Sequence, residues 1–209
     1  MEYIVKFFNI FLHLDQTLGL VIADYGLLVY GLLFAIIFLE TGLVVTPILP
    51  GDSLLFAAGA FAALGSLNIW LLWALLAVAA VLGDTVNYWI GHFLGEKMIA
   101  GNSRFIKKEY LIRGQTFYDK HGAKTIVLAR FVPIVRTFAP FIAGVSRMNY
   151  GRFIFYNIIG GLCWVSLFVL GGYFFGNLPL VKENFGLAVL AIIVLSILPI
   201  AVDIIRSKR

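Results

Sequence analysis

Two stretches of this chain are almost wholly apolar yet punctuated by helix breakers. Residues 44–66 carry Pro47, Pro50, Gly51, Gly59 and Gly65, and residues 125–148 carry Pro133, Pro140 and Gly144. Length and apolarity invite burial in lipid, but proline removes an amide donor and crowds the turn before it, so neither stretch is expected to run as one helix. A broken backbone at membrane depth survives only where protein or a wet cavity satisfies the freed amides and carbonyls. The pattern predicts two re-entrant helical hairpins in an all-α integral membrane protein. Composition agrees: 61% of residues are hydrophobic, 13% are charged and the mean hydropathy is +0.97, against about 25% charged in soluble domains.

Four further segments approach the roughly 20 apolar residues that cross a bilayer. They are residues 26–43, 68–94, 150–176 and 184–205, within a single membrane domain spanning 1–209. Trp70 and Trp73 at one end of the second, with Trp89 at the other, fit an interfacial aromatic belt. Residues 1–24 interleave apolar residues with Glu2, Lys6, Asn9, His13, Asp15 and Asp24, which suits an interfacial amphipathic helix. They lack a basic leader and a small-residue cleavage site, so no removable signal peptide is expected. Residues 96–124 hold seven Lys/Arg, and Arg206, Lys208 and Arg209 close the chain. The positive-inside bias puts both in the cytoplasm, and four crossings then put the N-terminus there too. Segment 104–124 reads as an amphipathic helix on the anionic inner leaflet, either gathering anionic lipid or simply orienting the chain. The net charge of +5 is explained by this distribution and is no nucleic-acid footprint.

The two halves rhyme. Pro50 then Ala58-Gly59, and Pro133 then Ala143-Gly144, each precede a spanning segment ending G-x-x-x-G, at Gly91/Gly95 and Gly172/Gly176. Broken segments at matching positions of opposed halves point to an inverted-repeat transporter. Small residues also recur in membrane helices for packing alone.

Buried in the broken segments are charges of opposite sign. Arg130 and Arg136 flank Pro133, and Glu40 and Asp52 stand in ETGLVVTPILPGDSLLFAAG. An arginine at bilayer depth costs roughly 2.5–3.5 kcal/mol even on a lenient scale, so such residues are functional by default. Guanidinium forks suit an anionic headgroup, because they donate in parallel to phosphate oxygens and stay charged at any pH. The plainer alternative is that the arginines pair with the acids and hold the hairpins together, and both readings hold in turn if a lipid phosphate displaces the acids. Asp52, after Pro50-Gly51, is as well placed to cap a helix as to couple an ion. Glu40 has no capping role, and a carboxylate kept from water is suited to proton exchange. Asp84 and Asn87 share a helix face at i, i+3 and suit interhelical hydrogen bonding, with ion passage a secondary reading. Arg147 and Arg152 are explained by snorkelling to the interface. His13, His92 and His121 show no ligand spacing, so no metal and no cofactor is expected, and the lone Cys163 reads as a packing residue.

The runs ETGLVVTPILPGDSLLFAAG, GDTVNYWIGHFLG and RFVPIVRTFAPFIAGVSRM, in that order across residues 26–176, closely resemble the DedA family of bacterial inner-membrane proteins, also described as SNARE-associated or VTT-domain proteins. The resemblance implies a lipid flippase. The family's members are similar to carriers that return undecaprenyl phosphate, or in some cases phosphatidylethanolamine, across the cytoplasmic membrane, with proton or sodium coupling. It also implies that the family's functional acids correspond to Glu40 and Asp52 and its arginines to Arg130 and Arg136. One departure is visible: the second motif commonly ends in Gly-Arg, and His92 follows Gly91 here.

Three other classes fit less well. A lipid-phosphate enzyme needs a nucleophile or paired metal-binding acids, and only Asp52-Ser53 pairs an acid with a hydroxyl in the broken segments. A channel calls for rings of one charge in an oligomeric pore. An uncoupled scramblase would use the same groove without an ion. The sequence thus predicts a non-enzymatic carrier of a phospholipid or polyprenyl phosphate in the bacterial inner membrane, with an oligomer left open.

Overall fold

The computed structural model describes residues 26–43, 51–100, 118, 122–179 and 181. The expected interfacial helix at 1–24, most of the basic segment 96–124, the last crossing at 184–205 and residues 44–50 of the first hairpin lie outside them. Every regular element among the described residues is a helix, and none is a strand. They form α1 (Leu27–Gly42), α2 (Gly51–Ala63), α3 (Ile69–Ala100), α4 (Thr125–Ala129), α5 (Pro133–Val145) and α6 (Tyr150–Gly176), the last with a π-helical turn at Ser166–Leu170.

Local chemistry sets the helix ends. Asn68 starts α3, its Oδ1 accepting from the amides of Trp70 and Leu71 at 3.0 Å each, and Asn149 starts α6 by accepting from the Arg152 amide at 3.1 Å. Both satisfy amides that a helix start leaves without a partner. Proline stands first in α5, where its missing donor costs nothing. The helical run over 125–145 therefore breaks once, at 130–132. Pro140 and Gly144, expected as further breaks, lie inside α5, and Gly59 lies inside α2. Proline within α5 forfeits the bond to the Arg136 carbonyl, yet the helix continues. Helix α3 runs on to Ala100, past residue 94.

Much of the exterior is apolar, and three charged residues lie inside. Leu27 is 79% exposed and Trp70 70%, and Leu128, Phe93 and Phe174 are likewise exposed, whereas Glu40, Asp84 and Arg130 are buried. In water such a surface would aggregate. In lipid it is the expected one. Ile69–Leu94 and Tyr150–Gly176 are long and apolar enough to cross a membrane. Trp70 and Trp89 are separated by 19 residues of helix, or about 28 Å, close to the hydrocarbon thickness. Cys163, expected to pack inside, is exposed on α6.

The chain divides into two compact units. One comprises Met1–Leu33, Pro50–Ala74 and Ser166–Arg209, and the other Phe34–Leu49 and Leu75–Val165. In the first, α2 packs on the end of α6 with backbones almost touching. A Cβ on Gly59 would lie 2.0 Å from the Val169 carbonyl oxygen, and one on Gly172 would lie 2.0 Å from that of Phe56. The Trp73 indole donates to Ser166 Oγ at 2.9 Å within the same unit. In the second, α5 packs on α3 in the same manner. A Cβ on Gly144 would meet the Tyr88 oxygen at 2.0 Å, and one on Gly91 that of Phe141 at 2.2 Å. Tyr88 closes this contact by donating to the Met148 carbonyl at 2.5 Å and stacking on Phe153 with ring centroids 4.5 Å apart. The rhyming glycines thus make one kind of contact twice, each broken segment seated on the G-x-x-x-G helix of the opposite half.

Candidate functional site

Every described buried polar or charged residue except Ser53 belongs to the second unit. Four helices and one helix break bring the site's side chains together. Glu40 and Thr41 come from the end of α1, Asp84 and Asn87 from the middle of α3, Arg136 and Thr137 from α5, and Asn157 and Trp164 from α6. Arg130 stands in the break between α4 and α5, where the chain leaves one helix and has not entered the next. The break lets its long side chain enter the core from the side.

Arg130 is 4% exposed and held on three sides. It pairs with Asp84 and donates to Asn157 Oδ1 and, at 3.4 Å, to the Ala80 carbonyl. Asn157 is held in turn, its amide donating to the Val81 carbonyl at 3.0 Å. Gly160 and Gly161 of α6 leave the space that the guanidinium stem fills, since a Cβ on Gly160 would lie 3.0 Å from Arg130 Cδ. Two bulkier residues there would close the slot.

Arg136 is held differently. It pairs with Glu40, which is itself 1% exposed, and its guanidinium lies over the Trp164 ring, 5.1 Å from the centroid. The face of an indole attracts a cation without demanding fixed hydrogen-bond geometry, so this arginine keeps a carboxylate partner on one side and an adaptable apolar one on the other. Asn87 braces the neighbourhood by donating to the backbone carbonyls of Thr41 at 3.1 Å and Thr137 at 2.9 Å.

Glu40, Thr41, Asp84, Arg130, Arg136, Thr137 and Trp164 line one cavity of about 10 Å³, room for about one water molecule. The site is closed in this conformation. A phosphate would enter only if the walls part.

Of the residues singled out from sequence, Glu40, Arg130 and Arg136 come together, with Asp84 as a full member. The pairing differs in one respect: Arg130 takes Asp84, a residue expected mainly to make interhelical hydrogen bonds. Asp52 sits in the first turn of α2, in the other unit, and is not among the residues lining this cavity. His92 does not line it either. Its ring stacks near Tyr88 at 6.1 Å and meets Trp89 edge-on at 5.4 Å, as an aromatic packing residue. Asn157, Trp164 and the Gly160-Gly161 pair were not anticipated. A lone asparagine in the middle of an apolar span was the available signal, because its amide has to find partners there.

Residues 49–174 match the VTT domain. The chain is 53% identical over its full length to Protein DedA of Escherichia coli K12, 97% of which is covered. An uncharacterised membrane protein of Mycobacterium leprae is 46% identical over 78% of this chain and 74% of its own. The inner membrane protein YghB of E. coli is 39% identical over 75% of this chain and 72% of its own. No solved structure matches.

Proposed function

Because the chain belongs to the DedA family of VTT-domain membrane proteins, we propose that it is a lipid transporter of the bacterial cytoplasmic membrane, with undecaprenyl phosphate as the cargo and a proton or sodium gradient as the drive. In this reading the two proline-broken segments are re-entrant hairpins of an inverted repeat, four helices cross the bilayer and both termini are cytoplasmic. The protein is a carrier and performs no covalent chemistry on the lipid.

The observation that carries the reading is the Glu40–Arg136–Trp164 arrangement. A guanidinium sunk in an apolar core is held by one carboxylate and one aromatic face. A lipid phosphate offers Arg136 the same two-pronged hydrogen bonding that a carboxylate does, and so competes with Glu40 for it. Once displaced, Glu40 is a carboxylate without its cation in a low-dielectric interior, which is costly. Taking up a proton removes that cost. Phosphate arrival and proton uptake are then one event, and phosphate departure reverses both. Asp52 is the second acid proposed to couple or gate. Arg130, fixed by Asp84, lines the same cavity and contributes positive potential without changing partners.

Reconstituted protein should translocate a polyprenyl phosphate in proteoliposomes, faster when an inward pH gradient is imposed. Arg136→Ala should abolish transport with helicity retained, and Glu40→Gln should remove the response to the gradient. Normal transport by Arg136→Ala would defeat the assignment. A wild type indifferent to pH, sodium and membrane potential would make it an uncoupled scramblase, and preference for phosphatidylethanolamine would change the cargo.

A further inference from the structure

The connection between α5 and α6 contains a backbone oddity and a cavity. Helix α5 closes with the Arg147 amide donating to the Gly144 carbonyl and the Met148 amide to that of Ala143, both at 3.0 Å. This paired closure needs one residue in the left-handed conformation, and glycine is the usual choice. Arg147 occupies it, with φ +54°, the one described non-glycine residue at positive φ. A side chain placed against its own backbone preference is retained where that side chain is needed. The strain therefore directs attention to what the guanidinium faces.

It faces a cavity of about 350 Å³, walled by Tyr118, Ser146, Arg147, Asn149 and Arg152. That is the size of a small-ligand site and far larger than the cavity at Arg136. Tyr118 is fixed on the wall by donating to the Ala139 carbonyl at 2.7 Å. Burial, then the Asp84 carboxylate, raises the phenol above its ordinary value, so it stays neutral. The Ser146 hydroxyl oxygen is buried and makes no hydrogen bond among the described residues. A second hollow shares Ala123, Asn149 and Arg152 and adds Phe155 and Tyr156, so an aromatic surface adjoins the cationic one.

We propose that this cavity is a second binding site, for a phosphate group, with Arg147 and Arg152 as its cationic contacts and Ser146 as a neutral donor. Arginine suits a phosphate because its planar fork reaches two oxygens together. The adjoining aromatic wall accommodates the carbon skeleton that a lipid phosphate brings and an inorganic phosphate lacks. The site is separate from Arg136 in residues and in volume, and it stands whether or not Arg136 handles transport.

The test is binding of short-chain phosphatidic acid, phosphatidylcholine of the same chain length and inorganic phosphate to the detergent-solubilised full chain, followed by native mass spectrometry and titration. Phosphatidic acid should bind to the wild type, and at least tenfold more weakly to Arg147→Gly combined with Arg152→Gln. Phosphatidylcholine should be insensitive to the pair. Inorganic phosphate binding with the same dependence assigns the site to a free phosphate, and its failure to bind assigns it to a lipid headgroup. Arg147→Gly relieves the backbone strain, so its melting temperature should equal or exceed that of the wild type, which separates lost binding from lost folding. Unchanged phosphatidic acid binding in the double variant, or no binding of any phosphate to the wild type, overturns the proposal.

Discussion

The two units use one packing device for different ends. In each, a helix that follows a proline is pressed onto a long helix through a pair of facing glycines, with backbone oxygens where side chains would be (Gly59 and Gly172 in one, Gly144 and Gly91 in the other). Around that contact the first unit buries Ser53 as its sole described polar residue, while the second buries two ion pairs and the asparagines that brace them. Close glycine packing is thus the scaffold, and it does not require charge. Among the described residues, buried ion pairs occur in one copy only. In lipid, where helices gain nothing from excluding water, close backbone approach is a principal source of association. A scaffold so held can carry costly ionic groups in its interior without depending on them for cohesion.

The largest expected effect tests that separation. Asp84→Ala strips the carboxylate from a guanidinium buried beside it, and breaking one side of such a pair costs roughly 3–5 kcal/mol. Thermal melting in detergent should fall sharply. Combining it with Arg130→Met should restore much of the loss, because the uncompensated charge is gone. The counterpart in the other unit, Ser53→Ala, should cost about 1 kcal/mol, the scale of a neutral polar contact. Equal losses from Asp84→Ala and Ser53→Ala would erase the contrast between the unit with buried ion pairs and the unit without them.

Next comes the scaffold itself. Gly59→Ala and Gly144→Ala each drive a methyl into a backbone oxygen 2.0 Å away, and neither helix pair can yield by rotating a side chain. Each should cost about 1–3 kcal/mol through forced separation, with similar drops in melting temperature. A large inequality would show that the two contacts are not equivalent.

Much of this arrangement could be read from the residues. The buried ions Glu40, Arg130 and Arg136 and the repeated glycine motifs were visible because charge is rare in apolar sequence and each instance demands a reason. Partnership was less legible. Arg130 meets Asp84 across 46 residues, and nothing in either segment encodes which of several acids faces it. Gly59 and Gly144 illustrate a second limit. A glycine that breaks a helix and one that lets another helix touch it look alike in sequence, so both were expected to interrupt helices that they in fact join. Pro140 misled for a related reason, since the surrounding protein tolerates the amide it removes. The π-helical turn at Ser166–Leu170, where Gly59 approaches the Val169 carbonyl, had no signal in the sequence.

The smallest expected effect on stability separates structural from functional loss. Gly160 lies where an added Cβ would be 3.0 Å from Arg130 Cδ and 3.2 Å from its Nε. The Val127 Cα lies at 3.2 Å as well, so the arginine stem and the short helix α4 each have to give by a few tenths of an ångström. Replacing a helical glycine with alanine also gains about 1 kcal/mol of helix propensity, so Gly160→Ala should melt within about 1 kcal/mol of the wild type. Arg130 would nevertheless be shifted against Asp84 and Asn157, whose geometry fixes it at the cavity wall. Transport in proteoliposomes should therefore fall several-fold while the melting temperature hardly moves. Gly171 in the other unit is the control. Its nearest neighbour to an added Cβ is a Phe56 ring carbon at 3.9 Å, an ordinary contact, so Gly171→Ala should leave both stability and transport at or above the wild-type level. If the two substitutions behave alike, the position of Arg130 has no bearing on transport, and the ion pair with Asp84 is there for folding alone.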